Sequence, residues 1–343
     1  MSLEVCRLSK NLSIGIIGAG RIGKLHAENI TAHVRSAKIK AIADIYADNI
    51  AEWAKDLGIN SIYTDYKKIL EDPEIEAVLI CSSTDTHCQI IIESASAGKH
   101  IFCEKPIDLD LDRIRRALDA VKKADVKFQI GFNRRFDHNF KKVRDMVLNG
   151  KIGDMHLLKI TSRDPAPPPI EYVKVSGGLF LDMTIHDFDM ARYLTGSEIV
   201  EVYATGAVLV DPAIGEVGDI DTAITTLKFA NGIMGVIDNS RKAVYGYDQR
   251  VEVFGSKGCI AVANDLPTNT ILSNEDGIIT DKPMYFFVER YKDSYINEIK
   301  EFIDCVLNDK EPSVTGIDGL ESVLVGLAAK QSLIEGRPVR INR

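Results

Sequence analysis

The sequence predicts a doubly wound α/β domain on a parallel sheet over residues 1–130, followed by an α+β domain over 131–343 with a large, open, predominantly antiparallel sheet. Three observations predict this. Short apolar runs alternate with helical segments as far as residue 130. Beyond it the apolar runs lengthen and follow one another with turn signals between them. The length, 343 residues, suits about two domains of roughly 150 residues each.

In the first part, residues 13–18 (Ser-Ile-Gly-Ile-Ile-Gly) read as a strand, and 24–32 have proline-free helical composition. A second strand over 39–45 ends at Asp44 and Ile45, and 48–57 form an amphipathic helix closed by Gly58. The alternation continues with 67–70, a strand at 77–81, a helix at 86–97 and a strand at 100–103. A helix over 110–124 carries Lys122 and Lys123 in its last turn, where the helix dipole favours cations, and 127–131 form the next strand. Buried strands with helices between them imply parallel pairing.

In the second part a helix over 139–148 stops at Gly150. Strands then follow at 155–162, 198–210, 222–229, 233–239, 250–254 and 259–263, with one late helix at 291–307. Asn231-Gly232 between two of these strands is a strong hairpin signal, and Gly255 to Gly258 connect the last two. Pro165-Ala166-Pro167-Pro168-Pro169 is a stiff connector or a loop pressed against a pocket.

Composition excludes several classes. With 45% apolar and 27% charged residues the chain reads as globular. No apolar run approaches the roughly 20 residues that a bilayer requires, and the opening Met1-Ser2-Leu3-Glu4 has no apolar export core. A net charge of −8 without Lys/Arg-rich runs argues against nucleic-acid or anionic-membrane partners. Cys6, Cys81, Cys88, Cys103, Cys259 and Cys305 show no C-x-x-C spacing. They are expected to be reduced, cytoplasmic thiols.

Three clusters carry chemistry. Gly18-Ala19-Gly20-Arg21-Ile22-Gly23 follows a strand and opens a helix, with Asp44 at the end of the next strand, 21 residues beyond Gly23. In that context it reads as a dinucleotide cradle, with a purely structural turn and a surface Asp as the alternative: one glycine for the turn, one for close approach of the pyrophosphate to a helix N-terminus, one for helix–strand packing. Asp44 would hold the adenosine ribose hydroxyls and repel a 2′-phosphate, and Ile45 and Tyr46 offer no cation, so NAD is expected over NADP. Cys103-Glu104-Lys105-Pro106 ends a strand at the sheet edge where ligands bind. Lys105 there is either aimed into the crevice or a solvated lysine ahead of a proline-initiated helix. Asp182 and His186, four apart, share one helix face, so that a carboxylate can orient an imidazole as a general base. A surface ion pair, or a metal site of His186, Asp187 and Asp189, are the alternatives. The metal site suffers from the divergent directions of those two aspartates and the lack of a second histidine, and no metal is expected. His87 is read as a cap on the helix after strand 77–81, without a chemical role.

Taken in order, the glycine turn, Glu104-Lys105-Pro106, Gly131-Phe132-Asn133-Arg134-Arg135-Phe136 and Gly177-Gly178 with Asp182, His186, Asp187 and Asp189 resemble the Gfo/Idh/MocA sugar oxidoreductases, and among them the inositol 2-dehydrogenases. Segments 161–165 and 239–248 add to the likeness, although some members carry His and Asn where this chain has Ser162 and Asp164. The resemblance implies that Lys105, Asp182 and His186 are catalytic. It implies an NAD site of Gly18, Gly20, Arg21, Ile22, Gly23, Asp44, Glu104 and Lys105. It also implies oxidation of a ring alcohol, myo-inositol above all. Polar and aromatic faces suit a sugar-like ligand, so Arg134, Arg163, Asp164, Tyr245 and Tyr247 are candidates for gripping its hydroxyls, with a surface or packing role for each as the alternative. Another substrate such as an aldose, a sugar acid or scyllo-inositol is the alternative. A non-catalytic NAD-binding regulator would be expected to lack the Lys, Asp and His set. Sheet-to-sheet dimers, doubled to tetramers, are also implied.

Overall fold

The computed structural model describes residues 11–343, so the opening tetrapeptide and Cys6 lie outside the described residues. The chain divides into two compact units, Met1–Gly131 with Tyr295–Leu320, and Phe132–Ser294 with Glu321–Arg343.

In the first unit six strands, β1 (Leu12–Ile17), β2 (Ala37–Ala43), β3 (Ser61–Tyr63), β4 (Ala77–Ile80), β5 (His100–Glu104) and β6 (Phe128–Gly131), form an all-parallel sheet ordered β3-β2-β1-β4-β5-β6. The order reverses between β1 and β4, and the crevice at such a switch point is where ligands bind in open parallel sheets. Every residue of β4 is buried, as expected of a strand covered on both faces. The helix Leu111–Ala124 buries Ile114, Ala117 and Val121 on one stripe, and Asp110 caps it by accepting from the Asp112 and Arg113 N–H groups at 2.9 Å.

The late helix, expected with the second domain, is corrected here. It spans Lys292–Leu307, and Ile299, Phe302 and Ile303 join Leu12, Ile14, Ile42, Leu79 and Phe102 in one core cluster. Burial of its apolar face on the first sheet outweighs proximity in sequence. A further helix, Gly316–Glu335, was not expected, because glycines discourage helices. Here they permit close packing: a Cβ on Gly316 would lie 2.3 Å from Leu118, and one on Gly319 2.5 Å from Ile107.

The second unit holds β7 (Met155–Arg163), β8 (Ile199–Ala207), β9 (Thr222–Phe229), β10 (Met234–Ser240), β11 (Asp248–Gly255) and β12 (Gly258–Val262). An exposed hairpin, β13 (Ile271–Asn274) with β14 (Gly277–Thr280), precedes the short β15 (Val339–Arg340). The seven-stranded sheet runs β12-β11-β7-β10-β9-β8-β15, antiparallel throughout except for the parallel pair of β10 and β7. β9 alternates buried and exposed residues, and Gly232 turns the β9–β10 hairpin with φ +89°.

Two expectations are corrected in this unit. The strand drawn to Val210 stops at Ala207, because Asp221 collects the N–H groups of Leu209, Val210 and Asp211 at 2.8–3.0 Å. Asp211 then caps the helix Pro212–Glu216. Helices beyond the two expected are also present, notably Ile185–Thr195, in which nine of the eleven residues are buried. A helix buried on nearly every side shows no polar face, and so no periodicity to read. Among the described residues no helix is long and apolar enough to cross a membrane.

Candidate active site

In the first unit, β1 leads into a turn whose glycines are dictated by backbone. Gly18 has φ +92°, and a Cβ there would stand 2.5 Å from the Ser82 nitrogen; a Cβ on Gly23 would stand 2.0 Å from the Gly18 carbonyl oxygen. Around Gly20, by contrast, nothing lies within 4 Å of that position. The helix Arg21–His33 opens there without a side-chain cap and without an acidic residue in its first turn. Such an end suits a phosphate held by backbone N–H groups and the helix dipole. Asp44, just past β2, accepts from the Ala19 N–H at 2.7 Å and the Tyr46 N–H at 2.8 Å. One bond to each oxygen fixes the carboxylate against the glycine turn and leaves acceptor capacity for a ribose diol. These residues fit a dinucleotide.

Lys105 follows β5 directly at the carboxyl edge of the sheet and is half-buried. Beside it, Glu104 turns inward. Its carboxylate accepts from His26 Nε2 at 2.7 Å and packs against Gly131, where a Cβ would lie 3.1 Å from it. Glu298, fully buried, faces the same pair: ligand atoms of His26, Glu104 and Glu298 lie within 4.8 Å of one another. Neither Glu298 oxygen has a hydrogen-bond partner. Burial, reinforced by Glu104 and Glu301, pushes the Glu298 carboxyl well above the ordinary range. The sequence reading missed this cluster, whose members are separated by 78 and 194 residues. His87 is not the cap: Ser83 holds that position, while the buried imidazole bridges the Pro106 carbonyl at 2.8 Å and the Ser82 carbonyl at 3.0 Å. Burial also pushes the Cys81 and Cys103 thiols well up, which leaves them poor nucleophiles.

The second unit carries Asp182 and His186, both half-buried. They do not share one regular helix as expected. Leu179–Asp182 and Ile185–Thr195 are separate, and the Thr184 N–H reaches back five residues to the Leu179 carbonyl at 3.0 Å. Thr184, fully buried, holds that break by donating to Asn239 Oδ1 at 2.9 Å. Asp182 accepts from the Tyr172 hydroxyl at 2.8 Å and from Arg241 at 3.1 Å. The His186 ring lies edge-on to Phe132, with centroids 6.0 Å apart.

The alternative metal trio is not assembled. Asp187 pairs with Arg134 at 2.6 Å and accepts from Asn239 at 2.9 Å, and Asp189 takes both arms of Arg135 at 2.6 and 2.9 Å. Burial raises the Asp187 carboxyl despite the Arg134 guanidinium. Of the residues expected to grip hydroxyls, Arg134 and Tyr247 are buried and bonded to each other at 3.3 Å. Arg163 is clamped by Asp238 and by the Tyr245 hydroxyl at 3.0 Å, and that hydroxyl donates to Asp248 at 2.6 Å. Asp164, a quarter exposed, is raised to about 6 by burial, with Arg241 opposing and Asp182 adding to the rise. Arg241, buried among Asp182, Asp164 and Asp219, went unread in the sequence, where it is one arginine in a polar segment.

Residues 12–132 match the oxidoreductase family with an NAD-binding Rossmann fold, and residues 140–261 match the GFO/IDH/MocA C-terminal domain. The chain is 57% identical to an uncharacterized oxidoreductase, YrbE, of Bacillus subtilis, over 97% of this chain and 98% of that protein. It is 53% identical to myo-inositol 2-dehydrogenase of Thermotoga maritima, over 96% and 98% of the two chains. The structure resembles a Lactobacillus casei scyllo-inositol dehydrogenase solved with NAD(H) and scyllo-inositol, at TM-score 0.91 and 33% identity, covering 97% of this chain and 99% of that one. Glycine cradle, sheet order and these likenesses agree: the chain belongs to the Gfo/Idh/MocA family of NAD-binding oxidoreductases.

Proposed function

We propose that the protein oxidises one secondary alcohol of a cyclic polyol, with myo-inositol as substrate and 2-keto-myo-inositol (scyllo-inosose) as product. NAD, when bound by the glycine turn and Asp44, supplies the hydride acceptor. His186 takes the hydroxyl proton, and Asp182 orients the imidazole and offsets the charge it gains. Lys105 donates a hydrogen bond to the reacting oxygen and favours the developing alkoxide. Arg163, Asp164 and Tyr245 grip ring hydroxyls. Arg134, which also donates to the Tyr247 hydroxyl, holds Asp187, and with it the helix that carries His186.

The observation that carries the reading is the partition of the acid–base groups in this helical segment. Asp187 and Asp189 are fully buried against Arg134 and Arg135, whereas Asp182, which pairs with Arg241, and His186 stay half-buried. The near full-length likeness to a myo-inositol 2-dehydrogenase supports the substrate. A Lys105→Ala variant should lose about 10²- to 10⁴-fold in kcat while still binding NAD in a fluorescence titration. A near-normal kcat would remove Lys105 from the chemistry.

A second substrate, scyllo-inositol, is favoured by the ligand in the L. casei structure. Relative kcat/KM over a panel of inositols and aldoses separates the two. The reading extends to assembly and location. Leu157, Tyr203, Ile224, Met234 and Phe254 are exposed on one face of the seven-stranded sheet, with Leu157 in register with both Met234 and Phe254. An apolar face of this kind suits a homodimer, doubled to a tetramer. The free thiols of Cys81, Cys88, Cys103, Cys259 and Cys305 suit the cytoplasm.

A further inference from the structure

The geometry points to Arg241 as a positioning residue that holds and aims Asp182, a role that rests on the reading of Asp182 as partner of the base. Arg241 follows β10, and its side chain is fully buried, at 1% exposure. A guanidinium so deep is sustained only by anions, and three face it. Nη1 donates to Asp182 at 3.1 Å and lies 3.9 Å from Asp164, while Nη2 lies 4.0 Å from Asp219. The Arg241 N–H donates to the Asp221 carbonyl at 2.8 Å, so the cation is anchored through its backbone.

Asp219 explains why three carboxylates gather here. Both its oxygens accept from the Leu179 N–H at 3.1 Å, at the start of the turn that ends in Asp182. Gly178 makes room for it: φ there is +84°, and a Cβ would stand 2.7 Å from Asp219 Oδ1. Asp219 therefore holds the near end of the turn, the Asp182 carboxylate forms its far end, and Arg241 stands between the two. Tyr172 and Arg241 bind different oxygens of Asp182, which fixes the carboxylate plane. Asp164 and Asp182 repel each other, and Arg241 is the cation that opposes the repulsion. Loss of Arg241 should free Asp182 to turn without touching the dinucleotide cradle.

A double-mutant cycle tests this. Arg241→Met should lower kcat by about 10- to 100-fold, as expected of a misaligned base. The NAD dissociation constant should stay within about threefold, a split from kcat that general loss of structure would not produce. Arg241→Lys, which keeps the charge without the fork, should recover a substantial part of kcat. On an Asp182→Asn background the Met substitution should change kcat by less than about twofold, because residues that act as one unit are not additive. Equal losses on both backgrounds would overturn the role of Arg241. A fully active Asp182→Asn would instead overturn the reading of Asp182, and with it any role exercised through it. If circular dichroism shows the Met variant unfolded, the same cycle with Arg241→Lys decides: a loss of about 3- to 10-fold that vanishes beside Asp182→Asn supports the proposal, and an additive loss refutes it.

Discussion

Replacement of Glu298 by glutamine should stabilise the protein at neutral pH. Glu298 is fully buried, its oxygens find no donor, and its neighbours in the cluster are Glu104 and His26. Burial first, then Glu104 and Glu301, raises its carboxyl. An acid whose folded pKa is raised contributes no penalty below its unfolded pKa, and a growing one as pH rises from there to the folded pKa. Each pH unit in that window removes about 1.4 kcal/mol of stability. Because burial and the neighbouring carboxylates raise the Glu298 carboxyl, this cost is absent at acid pH and grows as the pH rises. Ligand atoms of Glu104 and Glu298 lie within 4.8 Å of each other, so the two carboxylates, both ionised, would repel by at least about 3 kcal/mol at an effective dielectric of about 20. Glutamine keeps the shape and omits the penalty. Thermal melts of both proteins from pH 4.5 to 8.5 should coincide at the acid end and separate steadily above it, with the variant higher by several degrees at pH 7. A variant that melts lower at pH 7 would mean an ionised, paired Glu298, and EDTA-sensitive melting of the parent would identify a divalent cation as the partner.

Gly23→Ala would place a methyl 2.0 Å from the Gly18 carbonyl, so the helix start must retreat by about 1 Å. A displacement of that size weakens a positioned contact by up to about 100-fold, which should appear in the NAD dissociation constant while circular dichroism stays unchanged. Arg134→Ala would leave Asp187 fully buried without its cation. Breaking such a pair costs about 3 to 5 kcal/mol, to be read as a fall in melting temperature, with Arg134→Lys intermediate. Unchanged melting would show that Asn239 alone satisfies Asp187.

The sequence was most informative where chemistry is local. The glycine turn, Asp44 and Lys105 each lie within a few residues of a strand end, so that spacing alone placed them on the sheet's carboxyl edge. Strand alternation and Asn231-Gly232 likewise carried the second sheet. What stayed hidden depends on distant partners. Helix Lys292–Leu307 returns to a core laid down near residue 12. Helix Ile185–Thr195 is buried on nearly every side and so lacks a polar face. Arg134 looks in sequence like a ligand-binding cation, and nothing in its own segment shows its pairing with Asp187, 53 residues away. Arg241 and Glu298 have the same character. A buried charge is defined by what surrounds it, and nothing in its own segment reveals that.

NAD-dependent oxidation of a ring alcohol with His186 as base is decided by the initial rate of NADH formation from myo-inositol, measured for the parent protein and for His186→Ala. The parent should turn over at about 1 to 10³ per second, and the variant should lose about 10²-fold or more with NAD binding retained. No NADH from myo-inositol or any other inositol, or an undiminished rate in His186→Ala, would contradict it.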